Sequence, residues 1–267
     1  MFWFNELGKD LREAAAEISA GIISLAGKVA TSPPGYLLVI LFVLVVEHLC
    51  LLGSFSYFGQ PYNWLVSCGI STSIADFCVS VFFGVIFLGS VRIGLATLGL
   101  KLCSLSVAEA GWRRFKSIPK IALAIFAGPL DIVLRTTVIA VFKYKTIPIF
   151  YIATGKFWGK LNEPMFYYWL IFGCLIAPLI EEMFFRGFLQ TALEKKIGGK
   201  KAVVVTAFMF AVMHDPGMTL EGFLIRFVKG LIFSALKKWE GTLWAPVAAH
   251  SVNNFVAIFF PIMAKMP

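Results

Sequence analysis

Long apolar segments, separated by short polar stretches, dominate this sequence of 267 residues. Hydrophobic residues make up 59% of the chain and charged residues only 15%, whereas ordinary soluble domains carry about 25% charged residues. A helix needs roughly 20 apolar residues to cross a bilayer. The pattern therefore predicts an all-α polytopic membrane protein, a bundle of about seven transmembrane helices, at 36–53, 76–100, 119–142, 164–192, 202–214, 221–237 and 242–263.

The fifth and sixth of these segments are short for a full crossing. We expect them to be tilted or half-buried beside a water-accessible cavity, because the bilayer tolerates such segments only inside a bundle. The resulting organisation has three parts. Residues 1–34 are predicted to form an amphipathic interfacial helix, 35–163 the amino-terminal transmembrane helices, and 164–267 a helical core that carries the candidate site.

The amino-terminal helix is predicted from apolar residues that recur every three or four positions over 2–30, with charged residues on the other face. Phe2, Trp3 and Phe4 suit the headgroup boundary, which favours a helix lying in the membrane interface. Packing against another protein is the alternative for such a face. Pro33 and Pro34 end the helix.

The formal net charge of +9 indicates contact with anionic lipid headgroups. Nucleic acid is not an expected partner, because no stripe of basic and stacked aromatic residues lies in a polar region. Basic residues cluster in the loops 101–118 and 193–201, whereas 54–75 has none. This distribution places the amino terminus inside, with the basic loop 143–163 as the exception. The five scattered cysteines are read as packing residues.

Ionisable residues inside the apolar segments are the candidates for function. Glu181, Glu182 and Arg186 lie in the fourth segment, and His214 and His250 lie in later ones. A charged group at membrane depth costs roughly 2.5–3.5 kcal/mol on insertion scales, so it usually marks a functional site or a buried ion pair. Counted at about 1.5 Å per residue, Glu181, both histidines and Asn254 fall at a similar depth.

Helical spacing assigns neighbours within each segment. Glu182 and Arg186 are four residues apart and are expected to pair, whereas Glu181 points about 100° away and faces the cavity. By the same spacing, His250 and Asn254 project from one face. Phe210, four residues before His214, is expected to pack beneath the imidazole ring.

These residue types suit peptide hydrolysis, which needs a base to activate water, donors for the developing oxyanion and a proton for the leaving amine. Glu181 with His214 can supply the base, and His250 with Asn254 can supply the donors. A lone histidine in an apolar segment is usually a core residue, but three coincident matches favour a site. Three further residues are interpreted as structural: Asp131 and Arg135 as an ion pair, and His48.

Residues 170–258 resemble the CPBP family of CAAX proteases and bacteriocin-processing enzymes, also called the ABI family, and are type II CAAX prenyl protease-like. The resemblance rests on EEMFFRGFL from Glu181, FAVMH from Phe210 and HSVNN from His250, with GTLWAP from Gly241 as the lead-in to the last motif. It implies that Glu181 is the general base, assisted by His214. It also implies that His250 and Asn254 stabilise the oxyanion, with Glu182 and Arg186 as supporting residues.

Other functions remain open from the sequence. Glu181, His214 and His250 could instead hold zinc, although metal-free water activation, with no cofactor, is favoured. A proton-coupled transporter would carry internal repeats, and none is found. A non-catalytic membrane scaffold is the third alternative. We expect a multi-pass protein of a bacterial or archaeal cell membrane rather than the endoplasmic reticulum, acting on a membrane-associated substrate with a lipid modification or a leader peptide.

Overall fold

Helices make up most of the described chain. The computed structural model describes residues 33–57, 59–115, 117–143, 163–214 and 220–263, and some side chains within these helices are outside the description. Among the described residues there is no strand. The described residues form eight helices: α1 (Pro33–Tyr57), α2 (Gly59–Ser67), α3 (Thr72–Leu102), α4 (Ile118–Lys143), α5 (163–197), α6 (Gly199–His214), α7 (Leu220–Glu240) and α8 (Trp244–Met263).

Each of the seven predicted segments coincides with one helix, with ends that differ by a few residues. The short helix α2 was not predicted, because its stretch is polar enough to be taken as loop. Two described helices, Thr72–Leu102 and Met165–Ile197, are long and apolar enough to cross a membrane. The all-α class is thus confirmed for the described residues, whereas the count of seven spans stays a prediction. The predicted helix over 1–34 and the loop 143–163 lie almost wholly outside the described residues.

Wide π-helical turns interrupt the two long apolar helices. One occupies Val81–Leu88 in α3, and two occupy Trp169–Ile176 and Met183–Gln190 in α5. Such turns occur mostly as local insertions, often at functional sites, and they change the register of the side chains that follow. The last of them begins directly after Glu182.

Glycines bring the helices that carry the site close together. A Cβ atom on Gly128 of α4 would lie 2.6 Å from the carbonyl oxygen of Ala249 in α8, and one on Gly230 of α7 would lie 2.8 Å from the Cα atom of Ala207 in α6. Small residues permit this close backbone approach in membrane helices. The chain also passes through Pro129 within α4. These contacts fix α8 and α6 beside their neighbours.

The largest core cluster surrounds α5. Phe184, Phe185, Phe188 and Leu189 have no exposed surface and pack against apolar side chains of α1, α3 and α6. At one end of the bundle, Lys195 Nζ lies 2.7 Å from Glu109 Oε1. The two basic loops 101–118 and 193–201 therefore meet at the same end, as the lysine and arginine pattern predicts. The central position of α5 surrounds its acidic pair with other helices.

Candidate active site

Glu181 stands at the centre of a group of charged side chains from four helices. Its Oε2 atom lies 3.0 Å from Nε2 of His214 and 3.8 Å from Nε2 of His250, and its Oε1 atom accepts a hydrogen bond from Nη1 of Arg92 at 3.0 Å. The side chain of Glu181 keeps 14% of its exposure. The structure thus brings together three of the four predicted catalytic residues, and adds Arg92.

The hydrogen bonds of His214 determine where its protons lie. Its Nδ1 atom is 2.8 Å from the carbonyl oxygen of Phe210. A carbonyl oxygen can only accept, so Nδ1 carries a hydrogen. A hydrogen bond between Nε2 and the Glu181 carboxyl then needs one more proton, held either on the imidazole or on the glutamate. The two side chains therefore share a proton. The Phe210 ring lies 4.1 Å from the imidazole ring, centroid to centroid, as predicted.

His250 is held by Glu182, a contact that helical spacing could not predict. Nδ1 of His250 lies 2.8 Å from Oε1 of Glu182, and the Phe233 ring stacks on the imidazole with centroids 4.7 Å apart. Because Glu182 also pairs with a cation, it is the acceptor and His250 donates from Nδ1. The Nε2 atom of His250 is thereby turned towards Glu181. Glu182 is consequently more than the partner of Arg186: it also orients His250.

The predicted pair of Glu182 and Arg186 is formed and fully buried. Nη1 of Arg186 donates to Oε1 of Glu182 at 3.0 Å, and Nη2 donates to the carbonyl oxygen of Gly230 in α7 at 3.2 Å. The guanidinium carbon lies 4.5 Å from the centroid of the Phe210 ring. Cation–π contact of this kind is strongest where water is excluded. Arg186 thus joins α5, α6 and α7 beneath the candidate site.

Asn254 meets α5 at a different level. Its Nδ2 atom donates to the carbonyl oxygen of Gly173 at 2.8 Å. Gly173 precedes Glu181 by eight residues, roughly 12 Å along a helix axis. His250 and Asn254 do share one face of α8, because both contact α5. The prediction that all four residues meet at one level is therefore confirmed for Glu181 and the histidines, but the Asn254 amide bonds to Gly173 instead.

Sequence reasoning missed Arg92 and Glu47. Arg92 of α3 donates to Glu181 and, through Nε, to Oε1 of Glu47 in α1 at 2.7 Å. A usable signal was present, since Arg92 is the only charged residue from 77 to 100 and Glu47 the only one from 36 to 53. A charged residue at membrane depth usually marks a functional site or a buried ion pair, and this argument, used above for Glu181, applies equally to Arg92 and Glu47. The side chains of His48, Asp131 and Arg135 are themselves outside the described part of the structure, so their interpretation as structural residues stays a prediction.

A second buried polar group lies behind α8. Nζ of Lys229 in α7 donates to Oδ1 of Asn253 at 2.7 Å, and Nδ2 of Asn253 donates to the carbonyl oxygen of Gly128 at 3.2 Å. The spacing of residues along the sequence could not predict these two hydrogen bonds, because they join residues on three different helices. The group ties α8 to α4 and α7. Within the described residues, no group of three histidine, cysteine or carboxylate side chains has the arrangement of a metal site.

Residues 163–256 match the model of the family described as type II CAAX prenyl endopeptidase Rce1-like. The "Putative membrane peptidase YdiL" of Bacillus subtilis (strain 168) is similar, with 28% identity over 90 residues, which cover 33% of this chain and 36% of that protein. The alignment thus spans about a third of that relative's length. No solved structure matches. These matches confirm the resemblance to the type II CAAX prenyl endopeptidase family over the segment that carries Glu181, His214, His250 and Asn254.

We predict that Arg92→Ala lowers turnover by about 10²-fold, the lower range for loss of acid–base assistance, with little change in KM. The reason is that Arg92 holds the ionised carboxylate of Glu181 in place. Steady-state kinetics on purified protein would measure both constants. Arg92→Lys should restore much of the turnover, and Lys101→Ala, an exposed charge on the same helix, should leave it unchanged. Arg92 would be only a structural residue if Arg92→Lys lost as much turnover as Arg92→Ala and if both variants were misfolded.

Proposed function

We propose that this chain is an intramembrane endopeptidase that hydrolyses a peptide bond in a membrane-associated protein or peptide. The observation that carries the proposal is the convergence of two imidazole Nε2 atoms on Oε2 of Glu181, at 3.0 and 3.8 Å. Each imidazole is anchored through Nδ1, one by Phe210 and one by Glu182. Such anchoring fixes the ring orientation before a substrate arrives.

In the proposed reaction, Glu181 accepts a proton from water as the water oxygen attacks the carbonyl carbon of the substrate. Arg92 and His214 favour the ionised carboxylate that this step requires. The tetrahedral intermediate carries its negative charge on the former carbonyl oxygen, and His250 and Asn254 are the donors assigned to it. The proton taken from water passes to the leaving amine as the C–N bond breaks, which returns Glu181 to its ionised state.

The contacts of His250 determine which ring nitrogen can donate to the oxyanion. Its Nδ1–H is used by Glu182, so donation to an oxyanion must come from Nε2 and needs a second proton on the ring. Arg186 donates to the same Oε1 atom of Glu182 that accepts from His250. Glu182 and Arg186 together would therefore hold the His250 ring in the orientation that this donation requires.

Substrates of this proposed activity are membrane-associated proteins or peptides, including those with a lipid modification or a leader peptide. A comparison of membrane-protein termini from cells with the wild-type chain and with Glu181→Gln would identify them. New amino termini that depend on Glu181 would establish endopeptidase activity. Identical sets of termini in both strains, with equal protein levels, would favour a scaffold or a transporter.

We predict that Asn254→Ala lowers turnover by about 10²–10³-fold, the usual scale for one oxyanion donor, with little effect on substrate affinity. The amide is bonded to Gly173, eight residues before Glu181, so this role requires Asn254 to turn towards the oxyanion when substrate is bound. Measurement of kcat and KM separates the two effects, and Ser251→Ala on the same helix is the matched control. Normal turnover with weak substrate binding would reassign Asn254 to substrate positioning.

A zinc-dependent protease is the second candidate: no group of three side chains among the described residues has the arrangement of a metal site, but one observation favours zinc. Both histidines present Nε2 to Glu181 while Nδ1 is held by an oxygen, the arrangement that orients histidine ligands in metal sites. Glu181, His214 and His250 would then be the ligands. We nevertheless predict that activity survives EDTA or phenanthroline, because Glu181 can activate water directly. Stoichiometric zinc in elemental analysis, with activity lost on chelation and restored by zinc, would establish the metalloprotease.

A further inference from the structure

A cavity of about 620 Å³ lies at the basic end of the bundle, away from Glu181. It is formed where the loop after α3 meets the first turns of α4 and α8, and its walls include Trp112, Phe115, Ile118 and Trp244. The volume falls within the roughly 300–1,000 Å³ typical of ligand sites. Tryptophan rings concentrate at the boundary between headgroups and hydrocarbon, which places the cavity at that depth.

The charged residues that line this cavity are both positive. Arg113 and Arg114 are among the lining residues, and no carboxylate is among them. The nearest exposed acid in the same loop, Glu109, is bonded to Lys195, and this hydrogen bond with those from Ser106 lowers the pKa of Glu109 to about 2. Within the described residues, no hydrogen bond or ion pair is recorded for Arg114. An apolar cavity with cations at its edge complements an anionic amphiphile.

The same residues hold the start of α8, the helix that carries His250. Nε and Nη2 of Arg113 donate to the carbonyl oxygen of Gly241, and Nε1 of Trp244 donates to the carbonyl oxygen of Arg113. Gly111 and Gly241 both have a positive φ, of 97° and 81°, a backbone conformation that glycine adopts readily. The backbone N–H of Leu243 donates to Gly111. A ligand in the cavity would therefore contact the segment that sets the position of α8.

We propose that this cavity binds an anionic phospholipid of the surrounding membrane, with an acyl chain packed along the wall that Trp112 and Trp244 form by their edge-to-face contact, and with the headgroup phosphate at Arg114. The bound lipid fastens the loop after α3 to the first turn of α8. It thereby stabilises the helix that presents His250 to Glu181. This site is separate from the candidate active site, and its existence does not depend on the proposed peptidase activity.

The test measures lipid binding to delipidated, purified full-length protein by native mass spectrometry, together with the melting temperature. Phosphatidylglycerol should bind as a discrete adduct and raise the melting temperature more than phosphatidylcholine with the same acyl chains. Arg114→Gln should weaken phosphatidylglycerol binding about fivefold, the change that corresponds to about 1 kcal/mol per basic residue at a membrane surface. Ala248→Phe, which fills the cavity, should weaken binding of both lipids.

Lys200→Gln is the matched control, because Lys200 is an exposed cation at the same end of the bundle and is absent from the cavity lining. It should bind phosphatidylglycerol as the wild type does, and inorganic phosphate alone should not raise the melting temperature. Equal binding of both lipids, or equal losses in Arg114→Gln and Lys200→Gln, would overturn the proposal. Displacement of the phospholipid by an equimolar farnesylated peptide would also overturn it, and would assign the cavity to substrate. None of these measurements requires proteolysis.

Discussion

Glu181→Gln is expected to lower proteolysis by at least about 10²–10⁴-fold, the contribution typical of a positioned acid–base residue. Glutamine preserves the size of the side chain but cannot take a proton from water. Cleavage of a peptide that carries a substrate sequence, followed by mass spectrometry of the products, measures the loss. The protein should still fold, because the amide can accept from Arg92 through its oxygen.

Glu109→Gln is the matched control for that experiment, because it makes the same change at an exposed glutamate. It should cleave at the wild-type rate. Cleavage by Glu181→Gln at a rate near that of the control would remove Glu181 from the mechanism. Membrane insertion and melting temperature of both variants must match the wild type, so that the loss of cleavage is assigned to chemistry.

Arg186→Ala is expected to destabilise the protein by about 3–5 kcal/mol, the cost of removing one partner of a buried ion pair. Glu182 and Arg186 have no exposed side-chain surface, so the stranded carboxylate cannot be solvated. Among the described contacts of the Glu182 side chain, only the hydrogen bond from Nδ1 of His250 would remain. The melting temperature in detergent, and the yield of folded protein, should both fall well below those of the wild type.

Lys195→Ala is the contrasting variant for Arg186→Ala. It breaks the pair with Glu109, whose side chains are 46% and 43% exposed, and surface pairs contribute little to stability. Its melting temperature should change little. A double variant, Glu182→Gln with Arg186→Met, should be more stable than Arg186→Ala, because no unpaired charge stays buried. If Arg186→Ala is fully stable yet inactive, Arg186 belongs with the catalytic residues.

Contacts within one helix were predictable from the sequence, and contacts between helices mostly were not. The Glu182–Arg186 pair and the packing of Phe210 on His214 follow from four-residue spacing, which fixes neighbours on any helix face. The contact between Arg92 and Glu181 joins positions 89 residues apart. It depends on which helices are adjacent in the bundle, and spacing carries no such information. Apolar length was sufficient to locate the helices, but not to establish how many cross the membrane.

Asn254 shows why the depth of a side chain in the membrane is harder to predict than the helix face on which it lies. Its level was obtained by counting residues along a straight helix normal to the membrane. The structure has two π-helical turns in α5, at Trp169–Ile176 and Met183–Gln190, and each changes the register along that helix. The count therefore matched Asn254 with Glu181, whereas its amide meets Gly173. The face it shares with His250 was predicted correctly, because α8 is regular there.

Arg92 lies outside the segment that matches the peptidase family, and yet it touches the proposed base. A graft of residues 163–256 onto the amino-terminal helices of another protein would leave Glu181 with only the two histidines, His214 and His250, unless the new helix supplied a cation at the same height. The two halves of this chain are consequently not interchangeable modules. A change in the register of α3 relative to α5, or in the pairing of Arg92 with Glu47, would move the cation that contacts the Glu181 carboxylate. No residue of the family segment would have to change.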